Sequence, residues 1–176
     1  MLHPLIQVSQ SNVIEGKGLV TTGFIARGEV VSKLETGQRT YRIAYILGLS
    51  QEQQDAYMHY CYQCDEENVV CEDGDEKYMN HSCDANTCWL DDETIIASRD
   101  IQAGEELTYD YATTDVDIPF QMDCECGSNN CRGTISNEDY LIPEWQARFG
   151  EFLPGHVLRA IARSKQTTWE SANGDD

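Results

Sequence analysis

Cys124, Cys126 and Cys131 place three thiols in the eight-residue run CECGSNNC. Zinc takes four ligands in a tetrahedron and thiolates suit it, so this run asks for one more ligand from elsewhere in the chain. Cys61, Cys64, Cys71, Cys83 and Cys88 are the candidates. The loop Gly127-Ser128-Asn129-Asn130 is tight and polar and buries nothing itself, which favours metal over unliganded thiols. A second site from Cys61-x-x-Cys64 with Cys71 is disfavoured, because Tyr-Gln between the first pair lacks turn chemistry. Those three cysteines read as free core thiols.

The other stretch with chemical content opens at KYMNHSCDAN (Lys77–Asn86) and closes at GEELTYDY (Gly104–Tyr111), with one hairpin-like unit between. It concentrates Asn, His and three tyrosines just ahead of the cysteine run. The chain reads as folded around this stretch.

Short strands and Gly-bearing turns must position it. Leu5–Val8 reads as a strand, followed by a turn at Gly16-Lys17-Gly18 into the apolar pair Leu19-Val20. Phe24–Val31 reads as strand, turn, strand around Arg27-Gly28-Glu29, and Thr40–Leu49 as mixed strand. Ser50-Gln51-Glu52-Gln53 has capping-box spacing and predicts a short helix over about residues 51–58. Strands follow in 59–70, 93–101 and 107–109. Pro143–Phe149 and Gly155–Arg163 read as helices, and the polar run 167–176 as frayed. There is no βαβ alternation and no repeat, so the architecture is mostly β.

Charge narrows the partners. The net charge is −19 over 176 residues, and residues 61–130 alone carry −17, with Lys77 and Arg99 their only cations. Such a field repels nucleic acid and attracts a basic polypeptide. No apolar run reaches the roughly 18 residues of a membrane helix. The N-terminal MLHPLIQVSQ does not read as an export signal, so eight cysteines point to an intracellular, reducing compartment.

Asn80-His81-Ser82-Cys83, Glu106-Leu107-Thr108-Tyr109-Asp110-Tyr111 and the Cys-x-Cys-x4-Cys run, in that order, resemble a SET-domain protein lysine methyltransferase with its post-SET zinc loop. Gly16-Lys17-Gly18-Leu19 sits where that family has its first cofactor-binding turn. The resemblance covers roughly residues 8–135. It implies a fold of small β-sheets around a knot-like crossing of the NHSC and ELTYDY segments, with a post-SET zinc loop and C-terminal helices. The implied divisions are 1–118, 119–135, 136–166 and a frayed 167–176.

The resemblance also implies roles. Cys83 joins Cys124, Cys126 and Cys131 on zinc. S-adenosylmethionine and the target lysine enter a narrow channel from opposite faces. Tyr111 takes the position of the catalytic tyrosine, and Tyr109 the position that sets how many methyls are added, its hydroxyl favouring mainly monomethylation with some dimethylation. Lys17, Gly18, Leu19, Tyr78, Asn80 and His81 fall on the cofactor side. The implied substrate is a lysine in a basic protein tail such as a histone.

Several positions depart from the family pattern. The segment Glu35-Thr36-Gly37-Gln38 lacks the usual channel tyrosine, which leaves Tyr41, Tyr60 or Tyr62 to line the channel, or Glu35 to meet the amine. Lys77 stands for arginine and Ala85 for proline. Arg132–Ile135 has no aromatic to cover adenine, a task open to the C-terminal helices. A scaffold that binds a basic partner without turnover, and a methyltransferase for a non-histone protein, are the competing readings.

Overall fold

The computed structural model describes the backbone of residues 1–173 and side chains through Gln166. Among the described residues, four small sheets and four α-helices make up the fold. Strands β1 (Ile6–Gln10) and β2 (Lys17–Thr21) form an antiparallel pair joined by the loop 11–16; of the expected Gly16-Lys17-Gly18 turn only Gly16 lies in that loop, Lys17 and Gly18 being the first residues of β2, and Leu19 is wholly buried. Strand β3 (Val30–Lys33) follows, and Ile25 makes only an isolated bridge to Ile101.

The expected mixed strand at 40–49 is instead strand β4 (Arg39–Arg42) followed by helix α1 (Ile43–Leu47). Tyr41, Ile43 and Ile46 pack with Val69 and Ile118, so tertiary burial overrides the β-branched local signal. Helix α2 (Gln51–Met58) has the expected bounds, with the Ser50 N–H donating to Gln53 Oε1 at 3.2 Å. Strands β5 (Cys61–Gln63) and β6 (Asn68–Cys71) pair with β4 into a three-stranded sheet.

In that sheet Cys61 lies directly opposite Cys71, and the two are joined as a disulfide. This corrects the expectation of free thiols at those positions. Their chain spacing hides the register that puts them face to face. Cys64 and Cys88 are free, and among the described residues neither joins a metal-like cluster.

Strand β7 (Asn80–His81) runs parallel to β10 (Glu106–Tyr109), Thr108 opposite Asn80 and Tyr109 opposite His81. The hairpin between them is β8 (Thr87–Trp89) with β9 (Thr94–Ala97), which pairs with β3. The order β1-β2-β10-β7 therefore joins the N-terminal turn and both motif segments in one sheet. Its core of Leu19, Met79, Trp89, Ile101 and Leu107 lies behind the site.

Strands β11 (Gln121–Asp123) and β12 (Thr134–Ser136) form a hairpin that carries the cysteine run. Helix α3 (Pro143–Phe149) begins with proline at its first turn, where no N–H is needed. Helix α4 (Gly155–Asn173) continues past Arg163, so backbone expected to be frayed over 167–173 is helical. Residues 174–176 lie outside the described residues. Trp145, Phe149, Leu153 and Val157 pack on Ala112 and Val116, which fastens both helices behind the segment after ELTYDY. Among the described residues no helix is long and apolar enough to cross a membrane.

Candidate active site and cysteine centre

Tyr109 ends β10 and Tyr111 opens the 3-10 turn Tyr111–Thr113. Asp110 between them caps that turn by accepting the Ala112 N–H, which bends the chain and lets both rings point to one side. The rings lie 4.9 Å apart. The Tyr111 hydroxyl donates to the Met79 carbonyl at 3.3 Å. Burial raises the Tyr109 phenol well above its ordinary value and pushes Tyr111 up to about 12.

Both tyrosines line a small, partly open cavity of about 60 Å³, with Tyr62, Trp89 and Met79. Tyr62 packs 5.8 Å from Trp89, and burial raises its phenol well above the usual value. Tyr60 stands nearer the surface, 6.2 Å from Tyr78. Tyr41 instead packs on Tyr45 and Tyr57. Glu35 faces the N-terminal ammonium at 3.4 Å. Of the three candidate tyrosines, Tyr60 and Tyr62 both line the cavity, Tyr62 the more deeply, and Tyr41 does not.

Adjoining this cavity, and sharing Tyr60, Lys77, Tyr111 and Asp115 with it, lies a wider cleft of about 640 Å³. Lys17, Tyr78, Asn80 and Tyr111 line it, and His81 joins Asn80 and Tyr111 in the adjoining recess. Lys17 Nζ sits 4.8 Å above the Tyr78 ring. Of the expected N-terminal group only Lys17 lines the cleft. Gly18 sits behind it and Leu19 is in the core. The far wall is Phe120, Gln121 and Met122, ahead of the cysteine run, and no described residue of α3 or α4 lines it. Cover comes from β11, not from the C-terminal helices.

The Asn80 side-chain amide is committed internally, donating to Glu106 Oε1 at 2.7 Å and the Lys17 carbonyl at 2.9 Å. The His81 ring accepts the Tyr111 N–H at Nδ1, 3.2 Å away, so the neutral ring carries its proton on Nε2, facing Cys83 Sγ at 3.4 Å. Burial holds His81 neutral, its pKa lowered to about 4.

The Sγ atoms of Cys83, Cys124, Cys126 and Cys131 all lie within 4.8 Å of one another, and Cys83 and Cys124 are 3.7 Å apart. Zn–S bonds of about 2.3 Å in a tetrahedron demand S···S separations of about 3.8 Å, so the set fits zinc. Backbone N–H groups of Arg132 and Gly133 point at Cys83 and Cys131 sulfurs at 3.4 Å, the donors that thiolates need. Of the five candidates for the fourth thiol, the fold brings only Cys83 to the run.

A family model described as the SET domain matches residues 16–112. The chain belongs to the SET-domain family. Over 132 residues this SET domain is 30% identical to the histone-lysine N-methyltransferase ASHR3 of Arabidopsis thaliana, covering 69% of the chain and 25% of that protein. Over 128 residues it is 35% identical to the histone-lysine N-methyltransferase ash1 of Drosophila melanogaster, covering 65% of the chain and 5% of that protein. A crystal structure of KRYPTONITE in complex with mCHG DNA and SAH superposes with a TM-score of 0.54 at 23% identity, over 73% of the chain and 28% of its own. This SET domain therefore spans about a quarter or less of those two relatives' lengths.

Sequence reasoning missed four side chains at the site. Glu106 is buried and accepts from Ser11 Oγ at 2.9 Å and from Asn80, tying the N-terminal loop to β10. Asp110 is buried between His81, Arg132 and Trp145. Asp115 and Glu72 both line the tyrosine cavity. Burial pushes each of these last two carboxyls up to about 7, with Glu76 adding to the effect on Glu72. The excess of acid in 61–130 was the available signal, but it does not say which carboxylates turn inward.

Proposed function

We propose that this SET domain is an S-adenosylmethionine-dependent protein-lysine N-methyltransferase acting on a lysine in a basic protein tail, a histone tail being the first candidate. One observation carries the reading: Tyr111 lines both the small tyrosine cavity and the wider cleft. A lysine side chain from one side and a cofactor from the other would meet at its hydroxyl.

A lysine amine has a pKa of about 10.4, so freeing it of its proton near pH 7.4 costs about 4 kcal/mol. A small aromatic cavity lowers that cost by excluding water, and its walls hold the amine in line for displacement. When bound, S-adenosylmethionine supplies the methyl group. Tyr111, raised to about 12, keeps its proton at neutral pH and acts by orientation and dipole rather than as a base. Tyr109, beside it, presents a second hydroxyl that fills space a methylated amine would need, which supports mainly monomethylation with some dimethylation. Lys17, Tyr78, Asn80 and His81 line the cofactor side, with Gly18 and Leu19 supplying the backbone behind them. Cys83, Cys124, Cys126 and Cys131 would hold zinc, whose part is to fasten the β11–β12 hairpin over the cleft.

The divisions 1–118, 119–135 and 136–166 suit this reading, since the hairpin and the helices pack as separate pieces on the SET sheets. An intracellular, reducing location is supported by the four reduced thiols of the centre, whereas the Cys61–Cys71 bond speaks for oxidation. Thiol counting on protein from its native cell decides between them.

Intact-mass analysis of histones and other basic proteins incubated with S-adenosylmethionine tests the function. The expected result is a gain of single methyl units, lost in Tyr111→Phe. Cofactor binding by calorimetry with no transfer to any lysine-rich substrate, in the wild type as in the variant, would instead establish a binding scaffold.

A further inference from the structure

We infer that Asp115 and Glu72 form the ammonium-recognising floor of the tyrosine cavity, so that the site selects a cationic alkylamine side chain by charge as well as by shape. The inference rests on the methyltransferase reading for the identity of that side chain. Asp115 is 9% exposed and lines both the small cavity and the wider cleft, at the same junction as Tyr111. One of its oxygens accepts the Gln63 N–H at 2.7 Å, which fixes the carboxyl in place. Glu72 follows the last residue of β6 and enters the same cavity from another sheet.

The other charged groups around the cavity have partners. Glu76 is paired with the N-terminal ammonium at 2.8 Å. Lys77 Nζ lies over the Tyr60 and Tyr78 rings, at 5.9 and 5.4 Å. Asp117, behind Asp115, accepts from Gln63 Nε2 at 2.7 Å. His59 stands at the rim, edge-on to Tyr60. The Tyr62, Tyr109 and Tyr111 phenols are raised by burial and stay neutral. Glu72 and Asp115 have no ion pair among the described residues. The N-terminal ammonium is near enough to favour the charged form of Glu72, and Lys77 stands in the same wall, but neither is ion-paired with these two carboxyls. Two inward carboxyls walled by aromatic rings are complementary to an ammonium group on an apolar stem.

The probe is n-butylammonium, the end of a lysine side chain, with n-butanol as the uncharged control of the same length. Binding is followed by ligand-observed NMR and thermal shift on the full chain at pH 8, with and without S-adenosylhomocysteine. The expected result is binding of the amine and not of the alcohol, weakened by roughly tenfold or more in Asp115→Asn and in Glu72→Gln. The wild type should also lose affinity between pH 8 and pH 5 as the carboxylates take up protons, a readout that requires no variant to fold. Equal binding of amine and alcohol, or unchanged binding in both variants, would overturn the inference. Failure of the methyltransferase reading looks different: the amine binds as described, but no basic protein gains a methyl group.

Discussion

Asp110 and Arg132 form a two-pronged ion pair, Nη1 to Oδ2 at 2.7 Å and Nη2 to Oδ1 at 2.8 Å, with the carboxylate wholly buried. One partner lies between the two site tyrosines and the other directly follows the last cysteine of the metal-like centre. Trp145 Nε1 donates to the same carboxylate at 3.0 Å, and Arg132 Nε also reaches Asp139 at 2.8 Å. A single buried charge thus joins the ELTYDY segment, the cysteine hairpin and helix α3.

Arg132→Ala should therefore cost about 3–5 kcal/mol, because it strands Asp110 without its partner. Arg132→Lys should recover only part of the loss, since an ammonium cannot make both parallel bonds. Denaturant unfolding of the three proteins checks this. Equal stability of the lysine variant and the wild type would show that charge alone suffices.

Gly18→Ala tests how the N-terminal turn is held. A Cβ there would lie 2.7 Å from the Glu106 carboxyl carbon and 3.1 Å from Asn80 Nδ2. Glu106 cannot swing away cheaply, because Ser11 and Asn80 hold it. The substitution should destabilise by about 1–3 kcal/mol and weaken S-adenosylmethionine binding measured by calorimetry. Its thermal midpoint and affinity staying at wild-type values would mean the turn tolerates a side chain.

Metal removal should act locally first. The purified protein is expected to release zinc to a chelator, detected by a chromogenic dye, with loss of protection in residues 121–136 by hydrogen exchange. Cys83→Ser should release it more readily than wild type, since Cys83 is the only ligand outside the hairpin. Absence of zinc by elemental analysis of protein purified without chelator would remove the centre from the account.

Stability should vary with pH in a direction set by the inward carboxyls. Asp115 and Glu72 have folded values of about 7, above their ordinary range. Groups raised in the folded state contribute stability below their unfolded pKa, and that contribution is lost as pH rises through about 7. Asp115→Asn keeps the acceptor for Gln63 and removes the buried charge. It should raise the melting temperature at pH 8, by at most about 4 kcal/mol in stability. The gain should shrink as pH falls toward 4. Buried His156, lowered by burial, opposes this trend in the wild type by losing stability as pH falls through about 6.5. A variant no more stable than wild type at pH 8 would indicate that Asp115 carries no such strain.

Local chemistry made much of this protein readable from its chain. The Ser50–Gln53 spacing marks α2, Gly16 marks the end of the β1–β2 loop, and Pro143 marks the start of α3, because caps and turns depend on neighbours a few residues away. The ordered NHSC, ELTYDY and Cys-x-Cys-x4-Cys segments likewise announce the family. Choices that depend on what lies across space were decided by the tertiary structure. Register placed Cys61 against Cys71, packing on Val69 and Ile118 turned residues 43–47 into a helix, and the folding of β5 brought Tyr60 and Tyr62, not Tyr41, to the tyrosine cavity. Asp110, Asp115 and Glu72 look like any other acids in a run of net −17. Only burial separates them from the solvated ones, and burial belongs to the packing of distant segments, not to the spacing of residues along the chain.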